Sequence, residues 1–315
     1  MGKKTLRVFC LLLALMTALP LDGMAAAKKL RGYDSTQKKS ARYQYVQLGT
    51  YPYEEDGTKK PVLWLVLSVS KNKALLFSDM ILDNRQVVYA KTRRELDNRT
   101  YRRIKDFTES DLYTWMNNDM LNTLFKGDSM KEALVEGEYG KLYPLTDEQM
   151  LTKAYGFSDN RYYSHPERQA KGTPYAKSIQ QYDWGTGSKG CRKMAVHEKL
   201  GTSPYWVIAF KNPNKMDRNY MMQLAGRDGH LSYGAYARTD VGVRPALTLD
   251  LTLCKIKSGS GTRSKPFILE YTGEEETPKP TKTPKPTKTP KPTKAPKPAE
   301  APEATEAPKK TAKPK

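Results

Sequence analysis

The residue types best suited to chemistry cluster in one stretch of the chain. Tyr155, Phe157, Asp159, Asn160, Arg161 and Tyr162 interleave aromatic rings with hydrogen-bonding groups, and Trp184 follows in the same loop-rich region. Aromatic faces stack on sugar rings while Asp, Asn and Arg fix hydroxyl groups, so the set reads as a candidate glycan-binding surface. The alternative is that these rings pin irregular loops to a core. Trp206, inside an apolar strand, is a further aromatic candidate. Arg244, set between Gly242-Val243 and Pro245, either faces a ligand or pairs with a buried carboxylate.

Reactive constellations are harder to find. His165, His197 and His230 stand apart, with no second His three or four residues away and no neighbouring Cys pair, so no zinc-type spacing is present. There is no Gly-x-Ser-x-Gly elbow and no phosphate-cradling glycine loop. A carboxylate pair for sugar hydrolysis is set by three-dimensional spacing and cannot be picked out of the sequence. No catalytic residue, metal or cofactor is therefore assigned. The expected role is a non-enzymatic binding module, with a hydrolase acting on glycan or peptidoglycan as the alternative. Cys191 and Cys254, left once Cys10 departs with the signal, can form a disulfide across a long loop or stay as separate thiols.

Positioning these residues requires a sizeable fold. Tyr45-Val46-Gln47-Leu48-Gly49, residues 62–69 and residues 74–77 read as strands, because β-branched and apolar residues dominate and Lys71-Asn72-Lys73 supplies a turn. Residues 62–67 are apolar without a break, which predicts a central strand covered on both faces. A helix is expected over about residues 111–125, opened by Thr108 or Ser110 and turning Leu112, Trp115, Met116, Met120 and Leu124 toward the core. Thr146-Asp147-Glu148-Gln149 spells a capping box for a shorter helix, with Gly156 as its stop. Residues 160–192 show little apolar pattern and read as long surface loops. Residues 204–210 form a compact apolar strand, and Asp228-Gly229 marks a hairpin. Residues 241–249 and 267–269 complete a strand-rich C-terminal half. The order predicts an α+β domain with a mainly antiparallel sheet and two or more helices.

Both ends point outside the cell. Lys3, Lys4 and Arg7, the apolar run of residues 8–19 and Ala25-Ala26-Ala27 read as a secretory signal peptide over residues 1–27, cleaved or kept as an anchor. That run is shorter than the roughly 20 apolar residues that cross a bilayer, so no transmembrane helix is expected in the mature chain. Residues 28–42 read as a flexible leader, 43–271 as one globular domain and 272–315 as a disordered, Lys/Pro-rich stalk. Lys279, Lys282, Lys285, Lys288, Lys291, Lys294 and Lys297 recur every third residue. A polyproline II helix has three residues per turn, so these lysines align as a basic stripe on the order of 55 Å long. The whole chain carries a net charge of +20, which favours anionic partners without choosing among them. The expected partner is a glycan or an anionic cell-wall polymer, with no motif for specific nucleic-acid recognition. The expected location is secreted or associated with the cell envelope; the oligomeric state is not encoded in any visible motif.

Several blocks carry a resemblance as a set. Gln47-Leu48-Gly49-Thr50-Tyr51-Pro52, Trp64-Leu65-Val66-Leu67, Ala74-Leu75-Leu76-Phe77-Ser78, Trp115-Met116-Asn117, Tyr143-Pro144-Leu145-Thr146-Asp147-Glu148 and Gly242-Val243-Arg244-Pro245-Ala246-Leu247 occur in that order. The chain resembles a domain-of-unknown-function family of exported bacterial proteins, across most of residues 43–252. More distantly, the Leu145-Thr146-x-Glu148 helix start, the Trp206 strand and the Val243-Arg244-Pro245 strand resemble the C-type-lectin-like fold, including its branch related to formylglycine-generating enzymes. The close cysteine pair that binds copper in those enzymes has no counterpart here, nor do the calcium-binding Glu-Pro-Asn loop and Trp-Asn-Asp strand of true lectins. Where the family often carries a Trp-Trp-Leu-Arg-Ser-Pro strand, this chain has Tyr205-Trp206-Val207-Ile208-Ala209-Phe210, without the arginine and serine.

Overall fold

The structure is a computed structural model and describes residues 29–87, 106–179, 181–183, 188–192, 194–209, 220–236 and 241–273. The chain divides into two units, Met1–Glu275 and Glu276–Lys315, and every described residue belongs to the first. The signal peptide expected over residues 1–27 and the stalk lysines lie outside the described residues.

The architecture is α+β. In chain order the strands are β1 (Gln44–Pro52), β2 (Lys59–Ser70), β3 (Lys73–Ser78), β4 (Asp83–Arg85), β5 (Leu134–Val135), β6 (Tyr143–Pro144), β7 (Gln181–Asp183) and β8 (Ser188–Arg192). They continue as β9 (Tyr205–Val207), β10 (Tyr220–Ala225), β11 (Leu231–Tyr236), β12 (Val241–Val243), β13 (Pro245–Asp250), β14 (Cys254–Ser258) and β15 (Phe267–Tyr271). The larger sheet runs β14-β15-β1-β2-β3-β13-β5, with β6 also on β13; a second runs β11-β10-β9-β12-β4, and β7 pairs with β8. Pairing is antiparallel except for β1 with β15 and β9 with β12.

The β1–β2–β3 meander is the centre of the larger sheet. β2 and β3 are joined by Lys71 and Asn72, both at positive φ (47° and 59°), a turn whose twist matches that of the strands it connects. Side chains of β2 alternate between two cores: Val62, Trp64 and Val66 enter one, Leu65 and Leu67 the other. A strand covered on both faces needs no polar alternation, which is why residues 62–67 read as a continuous apolar run. Trp64, fully buried, donates its indole N–H to the Leu48 carbonyl at 2.9 Å.

The first core is closed by a helix in three consecutive segments, α1 (Asp111–Trp115), a π-helical turn (Met116–Met120) and α2 (Leu121–Leu124). Ser110 opens it, its hydroxyl accepting from Tyr113 N–H at 3.1 Å. Leu112, Met116, Met120 and Leu124 all enter this core. Residues four apart on an α-helix advance by about 40° around the axis, so a strict spacing of four winds away from one face. The wider π turn takes back that drift. Trp115, expected in the core, is only half-buried and carries the Arg85 guanidinium 4.2 Å from its ring centre. The expected capping box is formed at α3 (Asp147–Met150): Gln149 N–H donates to Thr146 Oγ1 at 3.2 Å, and Thr146 N–H to Gln149 Oε1 at 2.9 Å.

Residues 28–42, read from sequence as a flexible leader, are packed in their described part, 29–42. Leu30 is buried in the first core, Tyr33 N–H donates to the Leu67 carbonyl at 3.1 Å and Arg31 N–H to Gln44 Oε1 at 2.7 Å. Residues 160–192, read as surface loops, hold buried Arg168, Ala170, Thr173 and Ala176, and include α4 (Pro174–Ser178). No apolar period announces them because their cover comes from distant segments, as when Thr173 N–H donates to the Ile81 carbonyl at 3.0 Å.

Residues 241–249 are two strands in two sheets. The chain leaves β12 in the smaller sheet and enters β13 in the larger one, turning at Arg244. A Cβ on Gly242 would lie 2.5 Å from Ile81 Cγ2 and 2.9 Å from the Pro204 carbonyl oxygen, so only glycine lets β12 sit between β4 and β9. Arg244 is 2% exposed. Its Nε donates to the Ser78 carbonyl at 2.8 Å and its Nη1 to the Tyr205 hydroxyl at 3.2 Å, with the guanidinium 3.9 Å from the Phe77 ring centre. The carboxylate partner or ligand-facing position expected for it gives way to a carbonyl, a phenol and two ring faces. Arg244→Ala should cost about 3 kcal/mol or more in urea unfolding. Arg244→Lys should recover less than half of that, because an ammonium cannot fork or stack; a loss below about 1 kcal/mol for the alanine variant would contradict this assignment.

Candidate functional site

Among the described residues, the loop that follows α3 combines exposed aromatic rings with a fixed backbone. Tyr162 and Tyr163 are 67% and 68% exposed. Three sets of contacts hold the chain beneath them. Arg161 Nη2 meets Asp147 Oδ2 of α3 at 2.5 Å, with both side chains largely covered. Gln223 of β10, with its amide oriented to satisfy both groups, donates to Asp147 Oδ1 at 3.0 Å and accepts from Arg161 Nη1 at 3.1 Å. Arg168, fully buried, donates from Nη2 to the carbonyls of Asn160 (2.8 Å) and Tyr163 (3.0 Å).

The Asp228-Gly229 turn of the β10–β11 hairpin supplies the third set. Its Asp228 carbonyl accepts from Ser164 Oγ at 2.7 Å and Gln169 Nε2 at 3.0 Å, while Leu231 N–H donates to the Arg161 carbonyl at 2.8 Å. Within the loop, Asn160 Oδ1 accepts from Tyr162 N–H at 2.9 Å, a local Asx turn. Burial pushes the Arg168 guanidinium below its usual range, and Tyr205 OH donates to the Arg168 carbonyl at 2.5 Å.

The sequence candidates separate on this geometry. Asn160, Arg161 and Tyr162 share the loop, Arg161 as a strut and Tyr162 as an exposed ring. Asp159 is exposed beside them and pairs with Lys153 Nζ at 2.7 Å, which holds its carboxyl below the usual range. Tyr155 packs against the second core, and its carbonyl accepts from Tyr43 OH at 2.8 Å. Phe157 is buried, its ring edge-on to Phe77 at 6.4 Å. Trp206 is buried and donates its indole N–H to the Arg85 carbonyl at 2.7 Å. Phe157, Trp206 and Arg244 are thus core residues. Trp184 lies outside the described residues. Sequence reasoning missed Arg168, Asp147 and Gln223 as the supports of the loop; an arginine among polar neighbours carries no local sign of burial.

Two surface cavities were also invisible in the sequence. One, of about 300 Å³, is lined by Tyr51, Tyr53, Lys60, Met80 and Arg263 among others. The second, of about 380 Å³, is lined by Glu138, Tyr139, Tyr143, Glu148 and Gln149 among others. In the latter, burial and then the hydrogen bond to Glu138 push the Tyr139 phenol up to about 12. Among the described residues no three His, Cys, Asp or Glu side chains gather as metal ligands, and no helix is long and apolar enough to cross a membrane. Comparison of the chain with models of protein families, with curated proteins and with solved structures found no match.

Cys254 carries a free thiol, its Sγ 3.2 Å from the Asp250 carbonyl oxygen, and the side chain of Cys191 lies outside the described residues. Burial, and then the Asp250 charge, push the Cys254 thiol up from 9.0 to about 11. Only the thiolate reacts, so at pH 8 iodoacetamide should modify Cys254 about 100-fold more slowly than an unperturbed thiol. Peptide mapping by mass spectrometry checks this; rapid labelling, or a Cys191–Cys254 linked peptide, would contradict it.

Proposed function

We propose that this chain is an exported, non-enzymatic binding module that presents Tyr162 and Tyr163 to a glycan or cell-wall polymer. The observation that carries the reading is the pair of adjacent tyrosines, each about two-thirds exposed, on a backbone clamped by a buried arginine. Scattered exposed apolar residues are ordinary. Two neighbouring rings on a fixed loop are less so, because the ordering cost of binding has been met before the ligand arrives. Tyrosine suits the role: its ring stacks on the apolar face of a sugar and its hydroxyl reaches the ring substituents.

Export and a cell-envelope location belong to the same proposal and rest on residues 1–27. The stalk lysines and the net charge of +20 support attraction to an anionic polymer. A C-type-lectin-like ancestry is also part of it. The Thr146 capping box, the Trp206 strand and the Val243-Arg244-Pro245 crossing, on which that resemblance rests, occur within one folded unit.

The test is co-sedimentation with purified bacterial cell walls across a salt series. A Tyr162→Ala/Tyr163→Ala variant should keep its melting temperature within about 2 °C, since surface changes cost little. It should lose at least tenfold in retention at a salt concentration that suppresses the stalk's electrostatic share. Phe157→Ala, by contrast, should lose about 3 kcal/mol of stability. Unchanged retention of the double variant would remove the tyrosines from the reading.

The 380 Å³ cleft supports a second reading, a glycan or peptidoglycan hydrolase, because it brings Glu138 and Glu148 to one concave surface beside two tyrosine rings. Two flanking carboxyl groups are what acid–base cleavage of a glycosidic bond uses. On that reading the wild-type chain releases soluble fragments from labelled walls, and Glu138→Gln or Glu148→Gln lowers the rate at least 100-fold. No release by the wild-type chain removes the hydrolase reading.

A further inference from the structure

We infer that the 300 Å³ cleft between the β1–β2 hairpin and the segment after β3 is a site for a small amphiphilic organic anion, an aryl or alkyl carboxylate. It shares no lining residue with the tyrosine loop, so this is a second site with its own ligand.

The floor of the cleft is rigid. Tyr51, Val62, Leu82 and Thr173 line it, and all four are buried residues with no more than 5% exposure. Tyr51 is fixed further by its hydroxyl, which donates to Asp83 Oδ2 at 2.7 Å. Asp83 is itself fully buried and accepts from Arg85 Nε at 3.3 Å. The Tyr51 hydroxyl is therefore engaged on the core side, and the residue contributes an oriented ring to the cleft. Thr173 is tied down by its N–H to the Ile81 carbonyl at 3.0 Å, and Tyr175 N–H holds the Tyr53 carbonyl at 2.8 Å. A cleft of this volume lies at the lower end of the range for small-molecule sites, about 300–1,000 Å³.

The rim carries two cations, each paired with one carboxylate. Lys60 Nζ lies 4.2 Å from the centre of the Tyr53 ring and is paired with Glu54; Arg263 Nη2 reaches Asp79 Oδ2 at 2.6 Å. The Lys60 and Arg263 side chains are 49% and 66% exposed. The Lys60–Glu54 pair, exposed on both sides, contributes about 0–1 kcal/mol, so an incoming carboxylate can take over Lys60 without a large loss. Asp79, 14% exposed and also part of the lining, takes Nη2 of Arg263; a guanidinium has five N–H donors, so that pair can stay formed while a second carboxylate binds. An apolar floor with two cations at its mouth selects a ligand that has both an apolar body and one negative charge.

The probe is 3-phenylpropionate on the full-length chain, with 4-phenylbutyrate and hexanoate as further carboxylates. Its amide and 2-phenylethylamine serve as neutral and cationic controls, and binding is followed by saturation-transfer NMR and calorimetry. At least one carboxylate should bind saturably with Kd at or below about 1 mM. The amide and the amine should bind at least tenfold more weakly, and so should the carboxylate to a Lys60→Gln/Arg263→Gln variant, because hydrogen bonds to a charged partner are lost. Both substitutions are at exposed side chains, so the variant keeps its melting temperature. A Met80→Trp variant, which fills the cleft, should abolish binding. No saturation by any of the three carboxylates at about 10 mM overturns the proposal, as does equal binding by the amide or the double variant. Preference for the amine overturns it in favour of a cation site.

Discussion

The buried guanidinium of Arg244 sits where the chain crosses from one sheet to the other, and much of the molecule is arranged around satisfying it. Removing an arginine from water costs several kcal/mol, recovered only if its donors and faces all find partners. Here the partners come from two separate parts of the chain: Phe77 and Ser78 at the end of β3, and Tyr205 at the start of β9. Tyr205 donates a hydrogen bond from its hydroxyl to the Arg168 carbonyl, and Arg168 in turn holds the carbonyls of Asn160 and Tyr163. The fold's central crossing and the exposed tyrosine loop are consecutive members of one hydrogen-bonded series.

That arrangement explains why a polar loop can be rigid. Loops usually gain order by burying apolar side chains, and residues 158–165 offer few. They are ordered by two arginines instead. Arg161 meets Asp147, and Arg168 reaches back to backbone carbonyls from a fully covered position. Buried ion pairs add little net stability, but they fix geometry, because a carboxylate and a guanidinium satisfy each other in few orientations. Asp83 with Arg85 and Tyr51 repeats the device beneath the 300 Å³ cleft. In both places a buried carboxylate fixes a neighbouring side chain, Arg161 in one and Tyr51 in the other.

The two candidate surfaces differ in how they use charge. The tyrosine loop spends its charges internally and presents rings. The cleft buries its apolar floor and keeps Lys60 and Arg263 exposed at the rim. In both places buried carboxylates serve as struts.

The sequence by itself determined the local features. The two-sided burial of β2, the Lys71-Asn72 turn, the Ser110 and Thr146 caps and the Asp228-Gly229 hairpin all follow from periodicity and turn chemistry acting over a few residues. The α+β class followed from their order. Composition also picked out the 155–162 stretch, yet it could not separate Tyr162, which faces solvent, from Phe157, which is core, because both are aromatic residues in a polar setting. Only the tertiary structure decided that residues 160–179 are partly buried, that Gly242-Val243-Arg244-Pro245 is a crossing between sheets, and that Arg168 is a strut. It also decided where the clefts lie. The reason is physical: burial of a polar side chain depends on partners more than thirty residues away, as with Tyr205 on Arg168 and Ser78 on Arg244, and no local pattern records a partner that distance brings.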